Sequence, residues 1–388
     1  IMKAIQIPIM KQSEKIKVMT IIGTRPEIIR LSEVIKELDA TTDHILVHTG
    51  QNYDYELNEI FFNDLGLRKP DYFLAAAGKT PVQTVAQVLA KVDEVFEKEQ
   101  PDAALVLGDT NSALALYAAK RRKIPTFHME AGNRCFDQRV PEEINRRIVD
   151  HMSDMNLVYS DRARDYLLNE NIPPDRVIKT GSPLFEVLTA NKKAIDASPV
   201  LSTLGLEKGK FFVASFHREE NISSDRALDG IIEGLTRVAQ AHRMPVIIST
   251  HPRTKNRMDE RGIKPSDQLR FLKPLGFHDY VKLQIDAACA ISDSGSLSEE
   301  ASILNLPAVM LREAHERPEA SDEATVIMAG VSPERIVQSV ALAMRHASPD
   351  RPFRLVDDYS MPNVSKKVVR LILGYTDYVR RRVWMQYE

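Results

Sequence analysis

Short apolar runs recur through the first half of the chain and then break at small, polar or charged residues. They are IKVMTIIG (16–23), HILVHTG (44–50), DAALVLGD (102–109), IPTFHME (124–130), MNLVYS (155–160) and RVIKTG (176–181). Between them lie stretches with helical spacing, such as PEIIRLSEVIKELDA and NSALALYAAKRRK. Continuous β-branched runs alternating with amphipathic segments predict a parallel sheet wrapped by helices. The pattern restarts after residue 185 with GKFFVASFHR (209–218), MPVIISTHP (244–252), DQLRFLKPL (267–275), AACAISDSG (287–295) and LPAVMLRE (306–313). The intervening KKAIDASPVLSTLGLEKGK is polar and irregular and reads as a linker region. Two doubly wound, Rossmann-like α/β domains are therefore expected, over 1–185 and 186–364. A basic helical tail, 365–388, is expected to cross back onto the first. Doubly wound sheets bind ligands at the C-terminal ends of their strands, so the interdomain cleft is the expected site.

Length agrees, since 388 residues exceed one ordinary core. The 52 basic and 54 acidic residues leave a formal net charge of -2, which argues against nucleic-acid and membrane-surface partners. The two cysteines, Cys135 and Cys289, imply no disulfide framework and read as small buried side chains suited to a reducing, cytoplasmic setting. The opening IMKAIQIPIMKQSEK lacks the apolar run of a signal peptide, and no later run approaches a membrane span. N-x-S matches at Asn221 and Asn363 carry little meaning in such a chain. No G-x-G-x-x-G follows a strand, and no P-loop, H-E-x-x-H or C-x-x-C occurs, so hydride transfer, P-loop phosphoryl transfer and zinc chemistry lose ground.

Several strand ends carry chemistry instead. In TIIGTRPEIIR the strand stops at Gly23 and Pro26 suits a helix start, where free amides favour an anion beside Arg25. In SDSGSLSEEASI a Ser-Gly-Ser turn lets backbone approach a diphosphate, and Glu300 stands where an acid can accept ribose hydroxyls. The same SLSE also fits an ordinary helix cap. Asp109 and Glu130 end neighbouring strands, Glu142 opens a helix after Pro141, and His217 followed by Arg218 ends the first strand of the second half. Each has a plain structural explanation, a cap for Asp109 and a helix-dipole partner for Glu142. Together they suggest acids of one domain facing a histidine and an arginine of the other. Carboxylates crowded in a low-dielectric cleft repel, so at least one pKa should rise toward neutrality, which suits proton transfer.

The motifs GTRPE, GDT, EAG, PEE-NR, HR-EN and DSG---EEA occur here in that order. From about residue 16 to its end the chain resembles the non-hydrolysing UDP-N-acetylglucosamine 2-epimerases. The resemblance implies a glycosyltransferase-B-like fold, a homodimer, a UDP-sugar substrate held mainly by the second domain, and no cofactor or metal. It places the essential acids at Asp109, Glu130 and Glu142 and the histidine at His217. It adds Arg25, Arg30 and Arg146, a UDP loop at Ser294, Gly295 and Glu300, and Arg312 ahead of RPEA at 317–320. Ser296 replaces the family's common second glycine and still offers its amide. His251 is expected at the UDP. Tyr280 is expected either to stack on uracil or to serve as a half-buried helix aromatic. TGQNYDYELNEIFFNDLGLRKPDYFL and EAGNRCFDQRVPEEINRR look closer to the UDP-2-acetamido-2,6-dideoxy-L-talose 2-epimerases, which form UDP-N-acetyl-L-fucosamine for capsule and O-antigen. The implied reaction strips the C2 proton, expels UDP to leave a 2-acetamidoglycal, and adds UDP back. The alternatives are the UDP-N-acetylglucosamine/UDP-N-acetylmannosamine pair, a glycosyltransferase, and a catalytically silent nucleotide-sugar-binding regulator.

Overall fold

A computed structural model describes residues 15–51, 55–138, 140–314 and 316–387. Two parallel sheets carry the chain. Strands β1 (Lys17–Ile22), β2 (Asp43–His48), β3 (Tyr72–Phe73), β4 (Ala103–Leu107), β5 (Thr126–Ala131), β6 (Met155–Val158) and β7 (Val177–Lys179) form the first. Its order is β3-β2-β1-β4-β5-β6-β7. The second contains β8 (Phe212–Ser215), β9 (Val246–Ser249), β10 (Leu269–Leu272), β11 (Ala290–Ser292), β12 (Ala308–Met310) and β13 (Ile327–Met328), in the order β10-β9-β8-β11-β12-β13. The α/β fold with two doubly wound parallel sheets is thus as the alternation of runs and helices predicts.

Both sheets turn in the same way. The order reverses between β1 and β4 in the first and between β8 and β11 in the second. The loops leaving those strands diverge to opposite faces and open a crevice at each reversal. Arg25 and Asp109 follow β1 and β4, whereas His217 and Ser294 follow β8 and β11. Those four residues therefore occupy the two positions where such sheets accept ligands.

Burial explains the strand sequences. Val18, Met19, Ile21 and Ile22 of β1 are all fully buried, because helices cover both faces of the sheet. The helix Arg25–Thr41 presents Ile28, Leu31, Val34, Ile35 and Leu38 to that core, a spacing of three and four. The final helix, Val364–Val383, adds Val364, Val368, Ile372 and Val379 to the same apolar cluster as Val18, Leu31 and Ile35.

Some local expectations change. The stretch taken as an irregular linker is largely helical: Leu184–Asp196 runs into it and Val200–Leu204 follows, with Val200 buried against the second sheet's core. The apolar side chains of that stretch anchor it, despite its polar composition. The two-residue edge strands β3 and β13 had no visible period. Cys135 is only half-buried, whereas Cys289 is buried. Asn221 is buried, its amide donating to Asp293 and to the Leu311 carbonyl. Among the described residues no helix is long and apolar enough to cross a membrane.

Candidate functional site

The turn after β1 is held by one carboxylate. Glu27 Oε2 accepts from the amides of Gly23 (2.7 Å) and Thr24 (2.6 Å) and from the Thr24 hydroxyl (2.9 Å). Its Oε1 accepts from Thr110 Oγ1 at 2.8 Å. The spacing Thr24-x-x-Glu27 makes a capping box at the start of the helix Arg25–Thr41. It also ties the loop carrying Arg25 to the loop carrying Asp109. Burial pushes the Glu27 carboxyl up to about 7, against those hydrogen bonds. Arg25 itself lies over the Phe61 ring, 5.8 Å from its centre.

Asp109 does not cap the helical segment that follows. Thr110 Oγ1 takes that role, accepting from Ser112 N at 3.2 Å. The Asp109 carboxylate turns instead to Arg146, 2.6 Å from Nη2. Arg146 also reaches Glu143 and Glu316, each at 3.3 Å. Burial pushes Asp109 up to about 6; Arg146 opposes the rise, and the charges of Glu316, Glu130 and Glu142 add to it. The acids singled out by sequence thus stand within electrostatic reach of one another.

Glu130 ends β5 in an unusual conformation. Its φ is 63°, in the left-handed region, and the β5–β6 register shifts between Met129 and Ala131. A non-glycine residue there costs about 1–2 kcal/mol. The turn re-aims the side chain toward the other lobe, where Arg317 Nη2 donates to Oε1 at 2.7 Å. Asn133 Nδ2 donates to the same oxygen at 3.2 Å, and Arg30 Nε stands 3.7 Å from Oε2. Glu142, in the first turn of the helix Pro141–Met152, is about 39% exposed and faces Arg218 Nη1 at 3.8 Å. Its neighbour Glu143 is the buried one, binding Arg146, Arg147 and the Cys135 amide.

The second lobe supplies the opposing groups. Asp293, buried at the end of β11, accepts from the amides of His217 and Arg218, both at 2.9 Å. The His217 ring stacks on that of His251, 5.5 Å between centres. Burial and the nearby charges of Arg218, Arg25 and Arg253 hold the His217 imidazole below its usual range, against Asp293. His251 is held down to about 3 by burial, His217, Arg25 and Arg253. Arg25 of the first lobe therefore acts on both histidines of the second. Ser294 Oγ and Ser296 Oγ lie 2.9 Å apart across the small turn. A Cβ on Gly295 would stand 3.5 Å from Glu316 Oε2 and 3.9 Å from Arg218 Nη2, which places this turn beside the charged groups of the junction.

Other candidates sit behind this junction. Glu300 accepts from Gln284 Nε2 at 2.6 Å, and burial raises its pKa. Tyr280 packs against the second core and bonds Ser215 Oγ at 2.9 Å, in keeping with the half-buried helix aromatic. Arg312 is only 2% exposed and turns to Glu316 at 3.3 Å. Three charged residues that the sequence did not single out belong to the same assembly. Glu316 is held well below the usual carboxylate range by Arg146, Arg218, Arg312 and Arg317, despite its burial. Arg317 and Glu299 complete it. Only the RPEA motif hinted at Arg317. Among the described residues no three His, Cys, Asp or Glu side chains are grouped to hold one metal ion. A separate cavity of about 450 Å³, between Leu306, Ile327, Leu342 and Phe353, contains none of the candidates.

Carboxylates of the first lobe thus face guanidinium groups of the second, Glu142 toward Arg218 and Glu130 toward Arg317. The chain is similar to known proteins. Residues 36–373 match the family model described as UDP-N-acetylglucosamine 2-epimerase. The structure of UDP-N-acetylglucosamine 2-epimerase from Rickettsia bellii is 49% identical, with a TM-score of 0.89, covering 96% of this chain and 100% of that one. The Methanocaldococcus jannaschii UDP-GlcNAc 2-epimerase, solved in complex with UDP-GlcNAc and UDP, is 31% identical with a TM-score of 0.86, covering 93% and 100%. The UDP-2,3-diacetamido-2,3-dideoxy-D-glucuronate 2-epimerase of Pseudomonas aeruginosa is 34% identical over 84% of this chain and 92% of its own. The chain belongs to the UDP-N-acetylglucosamine 2-epimerase family.

Proposed function

We propose that this UDP-sugar 2-epimerase inverts C2 of UDP-2-acetamido-2,6-dideoxy-L-talose to give UDP-N-acetyl-L-fucosamine. A carboxylate takes the C2 proton. The C–H electron pair becomes the C1–C2 double bond as the anomeric C–O bond breaks and UDP departs. UDP then re-adds at C1 while C2 is protonated on the opposite face, so no net oxidation occurs. The supporting observation is that Glu142 and Asp109 of the first lobe face Arg218 of the second, while Glu130 beside them pairs with Arg317. Two faces of C2 need two proton-transfer groups, and Asp109, with a pKa near 6, can exchange a proton close to neutrality. Arg25, Arg146 and Arg218 supply positive charge for the departing diphosphate, which such a weakly acidic carbon requires. His251 and the Ser294, Gly295 and Ser296 turn hold UDP in this reading, with Glu300 on the ribose.

The sugar assignment draws on the segments TGQNYDYE and EAGNRCFDQRVPEE. Residues 52–54 and 139 within them lie outside the described residues. The names of the relatives favour a second reading, the UDP-N-acetylglucosamine/UDP-N-acetylmannosamine pair. Incubating the protein in D2O with each UDP-sugar decides both points. Epimerisation puts solvent deuterium at C2, whereas a transferase lacking an acceptor or a silent binder leaves C2 protonated. Faster turnover of the 6-deoxy-L-talo compound is expected. Equal or faster turnover of UDP-N-acetylglucosamine would refute the sugar assignment and leave the reaction standing.

A further inference from the structure

Glu299 is the third residue of the helix Leu297–Leu304, a position that its sequence explains as part of a cap. It does not cap that helix. Its side chain is fully buried at the junction of the lobes. There it accepts a forked pair of hydrogen bonds from Arg30, Nη1 at 3.1 Å and Nη2 at 2.7 Å. Arg317 Nη1 stands 2.8 Å away, and the Ser182 hydroxyl donates to it as well. The same two arginines continue to Glu130. Arg317 Nη2 binds Oε1 at 2.7 Å and Arg30 Nε lies 3.7 Å from Oε2. The Tyr159 ring supports both guanidinium groups, each 5.8 Å from its centre.

The arrangement alternates in charge and crosses between lobes. Arg30 and Glu130 come from the first, Arg317 and Glu299 from the second. A planar guanidinium forked onto one carboxylate has little freedom to shift toward another. We propose that Glu299 is a positioning residue for epimerisation: through Arg30 and Arg317 it fixes the direction of the Glu130 carboxylate when the lobes meet. The inference rests on Glu130 being one of the proton-transfer acids. Without Glu299, two guanidinium groups have Glu130 as their sole shared anion, and the carboxylate is drawn onto them and away from C2. A misplacement of about 1 Å costs on the order of 100-fold in rate.

The test is Glu299→Gln, with kcat, KM, C2 deuterium exchange from D2O and UDP-binding stoichiometry measured together. UDP-2-acetamido-2,6-dideoxy-L-talose and UDP-N-acetylglucosamine are the substrates tried. The expected result is a fall in kcat and exchange on the order of 100-fold, with KM, UDP affinity and stoichiometry held. Glu299→Asp, which keeps the charge with a shorter reach, should recover part of the loss. Wild-type kcat in Glu299→Gln overturns the proposal. So does a loss of rate matched by an equal loss of UDP-binding molecules, which marks a structural role. If Glu299→Gln is insoluble, Glu299→Asp decides alone: reduced kcat at full UDP stoichiometry supports the proposal, and unchanged kcat overturns it. Glu130→Gln is run beside them. Should it retain exchange, the assignment of Glu130 fails, a result separate from failure at Glu299.

Discussion

Glu27 shows how one side chain can serve two strand ends. Its oxygens take the amide of Gly23, the amide and hydroxyl of Thr24, and the hydroxyl of Thr110. Arg25 and Asp109 are therefore referred to the same atom pair. The arrangement has a pH signature. The folded-state pKa, pushed up to about 7 by burial, lies above the roughly 4.3 of an unfolded glutamate. The folded protein then holds the proton more tightly than the unfolded chain across that interval. The resulting stability is fully present below about pH 4.3 and is lost as pH rises through about 7. Between pH 5 and 8 the wild type should lose roughly 2–3 kcal/mol more stability than Glu27→Gln. Urea titrations of both proteins at each pH measure this, and parallel curves would show that burial does not govern this carboxyl. The residue was open to recognition from sequence alone, because Thr-x-x-Glu after a strand is a capping signal. Its bond to Thr110 was not, since that partner lies 83 positions away.

At the scale of elements, the ends of β4 and β5 are braced by the helix Pro141–Met152. Asp150 on that helix accepts from the Gly132 amide at 3.2 Å and pairs with Arg134 at 2.6 Å. His128 Nδ1 stands 3.0 Å from the same carboxylate, and its Nε2 bonds the Gly108 carbonyl at 2.8 Å. Gly108 precedes Asp109, and Gly132, at φ 81°, closes the turn that Glu130 opens. The brace thus fixes both acids from behind. Asp150 and His128 are fully buried, and Arg134 nearly so. Removing one partner of such a pair costs about 3–5 kcal/mol, because the remaining charge is stranded. Asp150→Asn should lower stability by about that amount in urea unfolding and slow C2 exchange as well. A stable variant with wild-type exchange would exclude the brace. The strands and the acids ending them were legible because β-branched runs and polar stops are local signals. The brace was not, since nothing in HMEAG or RRIVDH reveals that His128 and Asp150 meet. Two-residue strands such as β3 and β13 are too short to show a period.

At the scale of the molecule, the lobes meet through charges distant in sequence. Arg30 and Glu299 are 269 positions apart, and Glu130 and Arg317 are 187 apart. No periodicity reports such pairs, so the sequence disclosed which residues end the strands and not how the lobes lock together. Asp64 adds a link that is not an ion pair, its carboxylate accepting from the Phe277 amide at 2.8 Å. The final helix works differently, by apolar burial. Ile372 is 1% exposed, in the same cluster as Val18, Ile22 and Leu31. Arg380 on that helix binds Asp102, just ahead of β4, at 2.6 Å. The helix follows the second sheet in the chain and yet completes the core under the first. Ile372→Ala removes buried carbons and should cost about 2–5 kcal/mol, according to how far the site collapses. The loss should be local. Backbone amides of β1 and β4 should exchange with deuterium faster, while those of β8 and β11 keep their protection, because the second sheet's apolar cluster does not contain this helix. Heightened exchange spread equally over both sheets would mean that the lobes open as one cooperative unit. Closure would then be a property of the whole core, and the ion pairs across the junction would be fixed in place rather than made when the lobes meet.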